Sequence, residues 1–377
     1  MTAKEIPDYD RGKAKRYANQ RYLLTGLTSL YWLAFLLLFL AGGASAALKE
    51  AAFGIAGAGA GGQTLYLLGF IVITSVALLP LGYYQGYVIE HRFELSNQTT
   101  GGWLSDEAKT TALSAVIFIP LGLGAYYLLA QAGPYWWLYG AVSWTAFTFV
   151  LAYLAPVVIM PLFNKFEPVE EETLKNAILA LAGRARVGIS EVLKADMSRR
   201  TKKANAFFAG AGSTRRIVLG DTLLDYFEND EVLTVVGHEM GHWRLGHLTK
   251  NTLLGAVTAL IGFFFADLTL RTLSGPMDLD GVADIAGLPL IILTFIVLGI
   301  AGMPLMNGVS RRFEREADTF ELKLVGKPAA AISTFEKLAA LNLADPDPHP
   351  LVEFWLFSHP SIKSRIATAR TYLTEES

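Results

Sequence analysis

The sequence of 377 residues contains no cysteine. Disulfide bonds, thiolate metal ligands and a cysteine nucleophile are therefore excluded, whereas the redox compartment stays open because a cysteine-free chain tolerates either. Charge is also scarce, since only 18% of the residues are charged, the formal net charge is -2 and no basic block occurs. We therefore expect no nucleic-acid partner. Apolar residues are abundant instead, at 52% of the chain, which is typical of a membrane protein.

Six apolar runs are long enough, or nearly so, to cross about 30 Å of hydrocarbon as helices. They lie at 22–47, 65–89, 112–130, 136–160, 253–270 and 285–306. The first run is too long for a cleavable signal, and no processing site follows it. Several prolines fall inside or beside these runs, so we expect bent helices around a polar interior.

Lysines and arginines set the expected orientation of the spans. Six of them precede the first span, whereas the alternate loops that would face the other side carry only Lys49 and Arg271. We therefore expect the N-terminus and the C-terminus on the cytoplasmic side, together with the charged segments between the other spans. The predicted fold is a multi-spanning α-helical membrane protein of about six transmembrane helices with a cytoplasmic α+β domain.

The apolar runs divide the chain into four parts. A membrane region with four spans covers 1–160, and a cytoplasmic catalytic segment follows at 161–252. A pair of spans covers 253–306, and a cytoplasmic helical segment at 307–377 completes the site. Strands of a small sheet are predicted at 192–197, 206–208 and 216–219, with a hairpin turn at 210–213. A helix is predicted over 230–247, and another ends at Gly326. The Gly/Ala-rich stretch 48–64 predicts a flexible outer loop.

The stretch VVGHEMGHWRLGH contains the pattern His-Glu-x-x-His. On a helix, His238 and His242 leave the same face one turn apart, so that they can share one zinc ion. Glu239 lies beside the pair, where a carboxylate can take a proton from metal-bound water. The alternative is a helix surface with two solvated histidines.

A catalytic zinc needs a third protein ligand and an open position. His247 lies nine residues after His238, on the opposite face if the helix continues, and we interpret it as structural or interfacial. Glu314 and Asp318 are four residues apart on a predicted helix after span six. One carboxylate can therefore ligate zinc while the other orients a ligating imidazole.

Two other acids, Glu316 and Glu321, compete for these roles, but neither has an acid four residues later. The alternative for all these acids is a set of solvated helix charges. The histidine pair immediately precedes span five and Glu314 shortly follows span six. Both halves of the predicted zinc site therefore reach the cytoplasmic face, and a hydrolase built in this way would attack a substrate at the bilayer surface.

At these residues the sequence resembles the CAAX prenyl proteases, the Ste24-like integral-membrane zinc metalloproteases of the gluzincin type. The resemblance extends over nearly the whole chain, in the motifs EHRFELSNQTT, NKFEPV, ANAFFAG, RRIVLGDTLL, EVLTVVGHEMGHWRLGH, SRRFEREADTFELKLVGK and FSHPSIKSRI. It implies one zinc ion, Glu314 as the third ligand, Glu239 as the general base and Asp318 as the residue that orients a ligand histidine.

The resemblance also implies roles that spacing does not provide. His359 matches a residue that stabilises the oxyanion, and Arg365 matches a nearby arginine that shapes the site. Asn205 matches a residue of the edge strand that aligns the substrate backbone, where an extended peptide can use the unpaired amides of the strand. From the residues alone, His359 would be a helix-cap or surface histidine, and Asn205 a turn residue.

The chain departs from the family in one respect, because the eukaryotic members have seven spans and enclose a membrane chamber. We expect the helix that would precede DRGKAKRYANQRY to be absent here, which leaves six spans. This departure suggests a prokaryotic-type member, for which a prenylated substrate need not exist, and it weakens any expectation about the shape of the chamber.

We therefore predict an integral-membrane zinc endopeptidase that cleaves membrane-associated or prenylated C-terminal peptides at the cytoplasmic face. One alternative is a quality-control protease of the HtpX type, although that branch has fewer spans and lacks much of the matching N-terminal half. Another is a non-catalytic zinc-binding scaffold or a transporter. A transporter would need ionisable groups within its spans, yet Asp267 is the only acid within an apolar run.

Overall fold

The computed structural model describes residues 4, 6, 8–210 and 215–375. Six helices in this part of the chain are long and apolar enough to cross a membrane, which confirms the predicted spans. They cover Arg11–Ala41, Ala60–Arg92, Thr100–Gln131, Gly133–Leu162, His247–Leu273 and Ile285–Val325. Each helix is longer than its predicted apolar run, because more polar turns continue the helix. The predicted end of the first run at residue 47 is wrong, since this helix ends at Ala41 and a separate helix begins at Ala44.

The helices of the N-terminal membrane region follow one another through short connections. They are α1 (Arg11–Ala41), α2 (Ala44–Ala56), α3 (Ala60–Tyr83), α4 (Ile89–Arg92), α5 (Thr100–Gln131) and α6 (Trp136–Leu154). A π-helical turn at Tyr84–Val88 joins α3 to α4, and another at Ala155–Ile159 follows α6. The second turn contains Pro156 and the first comes shortly after Pro80, which agrees with the expected proline-induced irregularities.

The predicted flexible loop at 48–64 is wrong, because most of this stretch is helical. Helix α2 covers Ala44–Ala56, and α3 already begins at Ala60. The residues of α2 include Ala, Leu, Lys and Glu, which have high helix propensity, and its glycines are confined mainly to the helix ends. The helices pack so closely that a Cβ atom at Gly62 would lie 2.5 Å from the ring of Phe53.

Outside the six spans, the described residues form one four-stranded sheet in the order β1-β2-β4-β3. Its strands are β1 (Phe166–Pro168), β2 (Glu191–Ala195), β3 (Ala206–Ala209) and β4 (Arg216–Gly220). The strands β2 and β4 are parallel, and the other neighbours are antiparallel. The structure thus contains the three predicted strands, and β3 lies at an edge. Apart from Gly210, the predicted hairpin turn lies outside the described residues.

Eight helices complete the described part of the chain. They are α7 (Glu172–Ala185), α8 (Asp221–Tyr226), α9 (Asn229–Arg244), α10 (His247–Leu273), α11 (Leu288–Val325), α12 (Pro328–Asn342), α13 (Pro350–Leu356) and α14 (Ile362–Glu375). Buried side chains of α7, β4 and α9 form one hydrophobic core, which includes Ile178, Ile217, Val236 and Met240. This core fixes α9, and with it the His-Glu-x-x-His motif, against the sheet.

Candidate metal centre and active site

Helices α9 and α11 approach each other closely at two glycines of α9. A Cβ atom at Gly241 would lie 3.1 Å from the backbone of Ala317, and one at Gly237 would lie 2.8 Å from Val325. The two glycines are four residues apart and therefore lie on the same helix face. Their missing side chains allow the two helix backbones to come together, which brings the histidine pair next to the acids of α11.

Three potential ligand atoms converge where the two helices meet. His238, His242 and Glu314 each offer one ligand atom, and these atoms lie within 4.8 Å of one another. The Nε2 atom of His238 is 3.2 Å from Glu314 Oε2, and that of His242 is 3.4 Å from Glu314 Oε1. The two Nε2 atoms are 3.0 Å apart. The structure thus brings together the three ligands predicted from the sequence.

The chemistry of these residues fits zinc. Two imidazoles and one carboxylate are a ligand set that catalytic zinc sites use. Glu314 is buried, and its Oε2 atom accepts no hydrogen bond from the described residues. A buried carboxylate oxygen without a donor is costly unless another group compensates it, and a cation held between the three side chains would provide that compensation.

Asp318 and Arg365 hold His238 from the other side of its ring. The Nδ1 atom of His238 is 2.8 Å from Asp318 Oδ1, so Nδ1–H donates to the carboxylate and leaves Nε2 for the metal. Arg365 of α14 donates from Nε and Nη2 to the two oxygens of Asp318, at 2.9 and 2.6 Å. This bidentate pair fixes the carboxylate that orients the imidazole.

The same contacts determine the charge of His238. Burial lowers the pKa of this imidazole, but its contacts with the carboxylates of Asp318 and Glu314 outweigh burial and raise the pKa to about 9. A metal ion and a proton therefore compete for Nε2, and zinc binding is expected to release a proton.

Glu239 lies beside the converging ligands, on the wall of a cavity of about 490 Å³. Burial raises the pKa of Glu239, although the nearby His238 and His242 act in the opposite direction. A glutamate with a raised pKa is suited to accept a proton from water and to donate it again. Its position next to the three converging side chains therefore allows a role in proton transfer.

His359, in the connection between α13 and α14, faces the same centre. Its Nε2 atom is 3.3 Å from Glu314 Oε1, and its Nδ1 atom is 2.9 Å from the Ser358 hydroxyl oxygen. Partial burial lowers the pKa of His359, which favours the neutral ring, whereas the Glu314 carboxylate acts in the opposite direction and 58% of the side chain is exposed. If the Ser358 hydroxyl donates to Nδ1, the proton of the neutral ring lies on Nε2, which points toward the centre.

Two residues that sequence reasoning missed fix the segment that carries His359. Arg311 of α11 donates from Nη1 to the carbonyl oxygens of Glu353 and Phe357, at 2.9 and 2.6 Å. Asn307 donates from Nδ2 to the carbonyl oxygen of Trp355 at 2.6 Å. No local pattern in the sequence signals these contacts, because the partners are more than 40 residues apart.

Asn205 immediately precedes the edge strand β3 and lines the same cavity as Glu239. Its side chain is exposed, while its carbonyl oxygen accepts a hydrogen bond from the Gly220 amide at 2.9 Å. The residue is thus held by the sheet through its backbone and is open to the cavity through its side chain.

The interpretation of His247 as a residue on the opposite helix face is wrong. Helix α9 ends at Arg244 instead of continuing to His247, and Gly246 adopts a left-handed conformation with φ of 69°. The chain turns at this glycine, and His247 returns to His242, with the two Nδ1 atoms 3.0 Å apart.

The other two acids that compete for the site lie apart from the converging ligand atoms. Glu316 contacts His247 through Oε2 at 3.2 Å. Glu321 is buried on the wall of the cavity, where its Oε1 atom has no hydrogen-bond partner among the described residues.

Comparison with known proteins agrees with the site. Residues 168–373 match the sequence profile of peptidase family M48, and residues 2–165 match that of the CAAX prenyl protease N-terminal region with five membrane helices. In the described part of that N-terminal region, this chain has four helices of spanning length and the shorter α2.

Several curated proteins are similar to most of the chain. An uncharacterized metalloprotease, YhfN of Bacillus subtilis, is 36% identical over 313 residues, which cover 81% of this chain and 73% of that protein. The CAAX prenyl protease 1 of Saccharomyces cerevisiae is 30% identical, with 83% of this chain and 73% of that protein covered. The Homo sapiens homolog is 30% identical, with coverages of 81% and 73%.

Among solved structures, the crystal structure of S. mikatae Ste24p has the same fold. The TM-score is 0.86 at 24% sequence identity, and the match covers 98% of this chain and 92% of that one. These similarities confirm the resemblance predicted from the motifs. The chain therefore belongs to peptidase family M48, within the Ste24-like CAAX prenyl proteases, and is an integral-membrane zinc endopeptidase.

Proposed function

We propose that this endopeptidase cleaves membrane-associated C-terminal peptides, including prenylated peptides of the CAAX type, at the cytoplasmic face of the membrane. The observation that carries the proposal is the convergence of His238, His242 and Glu314 from two helices that are attached to spans five and six. The relatives named CAAX prenyl protease support the substrate class.

In the proposed mechanism, His238, His242 and Glu314 would hold zinc, which would supply a Lewis acid for the scissile carbonyl and for water. Glu239 accepts the proton of the attacking water and passes it to the leaving amine. The Nε2–H group of His359 donates to the developing oxyanion.

Two groups of residues assist without taking part in bond breaking. Asp318 and Arg365 keep the His238 ring in one orientation and one tautomer, which supports its role as a ligand. Asn205 and the free edge of β3 align the substrate backbone by strand addition. These roles agree with the positions of the residues around the cavity.

Replacement of His359 with Phe is expected to lower kcat by about 10²- to 10³-fold, the usual effect of removing one oxyanion donor. Phe retains a planar ring but offers no N–H group. Steady-state hydrolysis of a quenched fluorogenic peptide measures the effect, with zinc content and thermal stability as checks on folding. A kcat equal to that of the wild type would return His359 to the role of a surface histidine.

Replacement of Asn205 with Ala is expected to raise KM about 2- to 10-fold with little change in kcat. One substrate hydrogen bond, with a net contribution of about 0.5–1.5 kcal/mol, is lost in this variant. Replacement of the exposed Glu336 with Ala, on the outer surface of α12, serves as a control. An unchanged KM would contradict contact between Asn205 and substrate.

The cytoplasmic placement of the site is supported by the distribution of basic residues. Six lysines and arginines precede the apolar run of span one, and the alternate loops carry only Lys49 and Arg271. Because positive residues accumulate on the cytoplasmic side, the site at the ends of spans five and six would face the cytoplasm. The alternative of a transporter is disfavoured, because Asp267 is already paired with Trp136 and Arg271.

A pair of peptides tests the function. One fluorogenic CAAX-type peptide is prepared with and without a farnesyl group, and both forms are incubated with the purified protein in lipid nanodiscs. We expect cleavage of both forms that stops on addition of a zinc chelator, and a lower KM for the farnesylated form, because its apolar chain partitions into the bilayer. Equal KM values would overturn the preference for prenylated peptides, and zinc-loaded protein that cleaves neither form would overturn the proposed substrate class.

A further inference from the structure

His247 is a buried histidine to which the proposed mechanism gives no task. Only 1% of its surface is exposed. Its ring stacks on Phe313, with the centroids 4.4 Å apart and an interplanar angle of 11°. Both ring nitrogens have partners, since Nδ1 lies 3.0 Å from Nδ1 of His242 and Nε2 lies 3.2 Å from Oε2 of Glu316. Buried polar groups normally have hydrogen-bond partners, but one partner of His247 is His242, a proposed zinc ligand.

The positions of the protons follow from the role of His242. If Nε2 of His242 is a zinc ligand, the neutral ring carries its proton on Nδ1. That N–H group can donate only to an acceptor, so Nδ1 of His247 must be unprotonated. The proton of His247 then lies on Nε2 and is donated to Glu316. The hydrogen bonds therefore all point the same way: His242 donates to His247, and His247 donates to the Glu316 carboxylate.

We propose that His247 and Glu316 form a positioning relay that fixes the orientation and tautomer of the ligand His242. The relay is the counterpart of the pair formed by Asp318 and Arg365 at His238. Each proposed zinc histidine then has its own chain of hydrogen bonds that ends at a carboxylate. His247 is a positioning residue in this scheme, because it is not among the residues that line the cavity and it acts through its contact with His242.

Neighbouring charges hold the far end of the relay in place. Arg312 donates from Nε to Glu316 Oε1 at 2.9 Å, and the Lys250 ammonium lies 3.7 Å from Oε2. At the near end, the left-handed Gly246 turns the chain so that the ring of His247 reaches His242. The relay thus connects α9, the start of span five and the cytoplasmic part of α11.

The proposal rests on the proposed role of His242 as a zinc ligand, and zinc affinity tests it without reference to activity. Replacement of His247 with Phe preserves a ring against Phe313 but removes both nitrogens. We expect zinc affinity to fall about 10- to 100-fold, as is typical when a residue that orients a metal ligand is lost. Competition of the full-length protein with a chromogenic chelator measures this affinity, and replacement of His91 with Phe is the matched control.

A second variant tests the same proposal if the first variant does not fold. Replacement of Glu316 with Leu should weaken zinc binding in the same direction. The double variant should bind zinc about as well as the His247→Phe variant alone, because the two residues act in one chain. The visible spectrum of the Co²⁺-loaded protein should change in both single variants, since the orientation of His242 changes.

The outcomes separate the relay from the function on which it rests. Zinc affinity and a Co²⁺ spectrum equal to those of the wild type in the His247→Phe variant would overturn the relay. Additive losses in the double variant would also overturn it. By contrast, a His242→Ala variant that retained tightly bound zinc would overturn the proposed ligand set itself.

Discussion

Replacement of Glu239 with Gln is expected to lower kcat by about 10²- to 10⁴-fold, which is the range that general acid–base catalysis contributes. Gln has nearly the same shape but cannot accept the proton of the attacking water or return it to the leaving amine. Glu239 is not one of the three converging ligand residues. The variant should therefore retain one zinc ion per chain, as measured by elemental analysis of the same sample that is assayed with peptide.

Asp230 offers a matched control on the same helix. It lies in the first turn of α9, half exposed and paired with Lys327. Replacement of Asp230 with Asn removes one carboxylate charge from α9 and should leave kcat unchanged. A Glu239→Gln variant with kcat within a few-fold of the wild type would remove Glu239 from the mechanism, and a variant without zinc would assign it to the ligand set.

Replacement of Glu314 with Ala is expected to abolish both zinc retention and hydrolysis. Two imidazoles on one helix would remain, and they lack the negative charge and the third coordination bond that the carboxylate supplies. Glu314 is buried beside both histidines, so no exposed acid can take its place without movement of the helix. Zinc content after dialysis and peptide hydrolysis at saturating substrate provide the two measurements.

Variants of Asp318 and Glu336 provide an intermediate effect and a control with which the loss of zinc in the Glu314→Ala variant can be compared. Replacement of Asp318 with Asn should weaken zinc binding about 10- to 100-fold, yet excess zinc should restore hydrolysis, because the ligands themselves remain. Replacement of Glu336 with Ala, on the exposed surface of α12, should have no effect. A Glu314→Ala variant that retained a full complement of zinc would refute the proposed site.

Local patterns predicted a large part of the architecture. Apolar runs of sufficient length can be recognised without tertiary information, and the six spans were therefore predictable. The same holds for His238 and His242, because a spacing of four residues determines a shared helix face. Glu314 required an additional argument, namely that its predicted helix follows a span whose end lies on the same side as the histidines.

The features that escaped prediction depend on breaks in helices or on contacts between distant segments. His247 was assigned to the wrong face because one left-handed glycine, Gly246, ends the regularity on which the helical wheel depends. Strand β1 has three residues, too few to show an alternating pattern. The positions of His359 and Arg365 depend on how α13 and α14 fold back onto α11, and only the family resemblance indicated their roles.

The long helix α11 connects the candidate metal centre directly to a membrane span. It covers 38 residues, with Pro304 inside it, and includes both the apolar run of span six and Glu314. At 1.5 Å per residue, Glu314 lies about 12 Å beyond Met306, where the apolar run ends. A change in the tilt of this rod would therefore displace a ligand atom directly, and tilt responds to hydrophobic mismatch. Peptide cleavage is consequently expected to vary with the acyl-chain length of the host lipid.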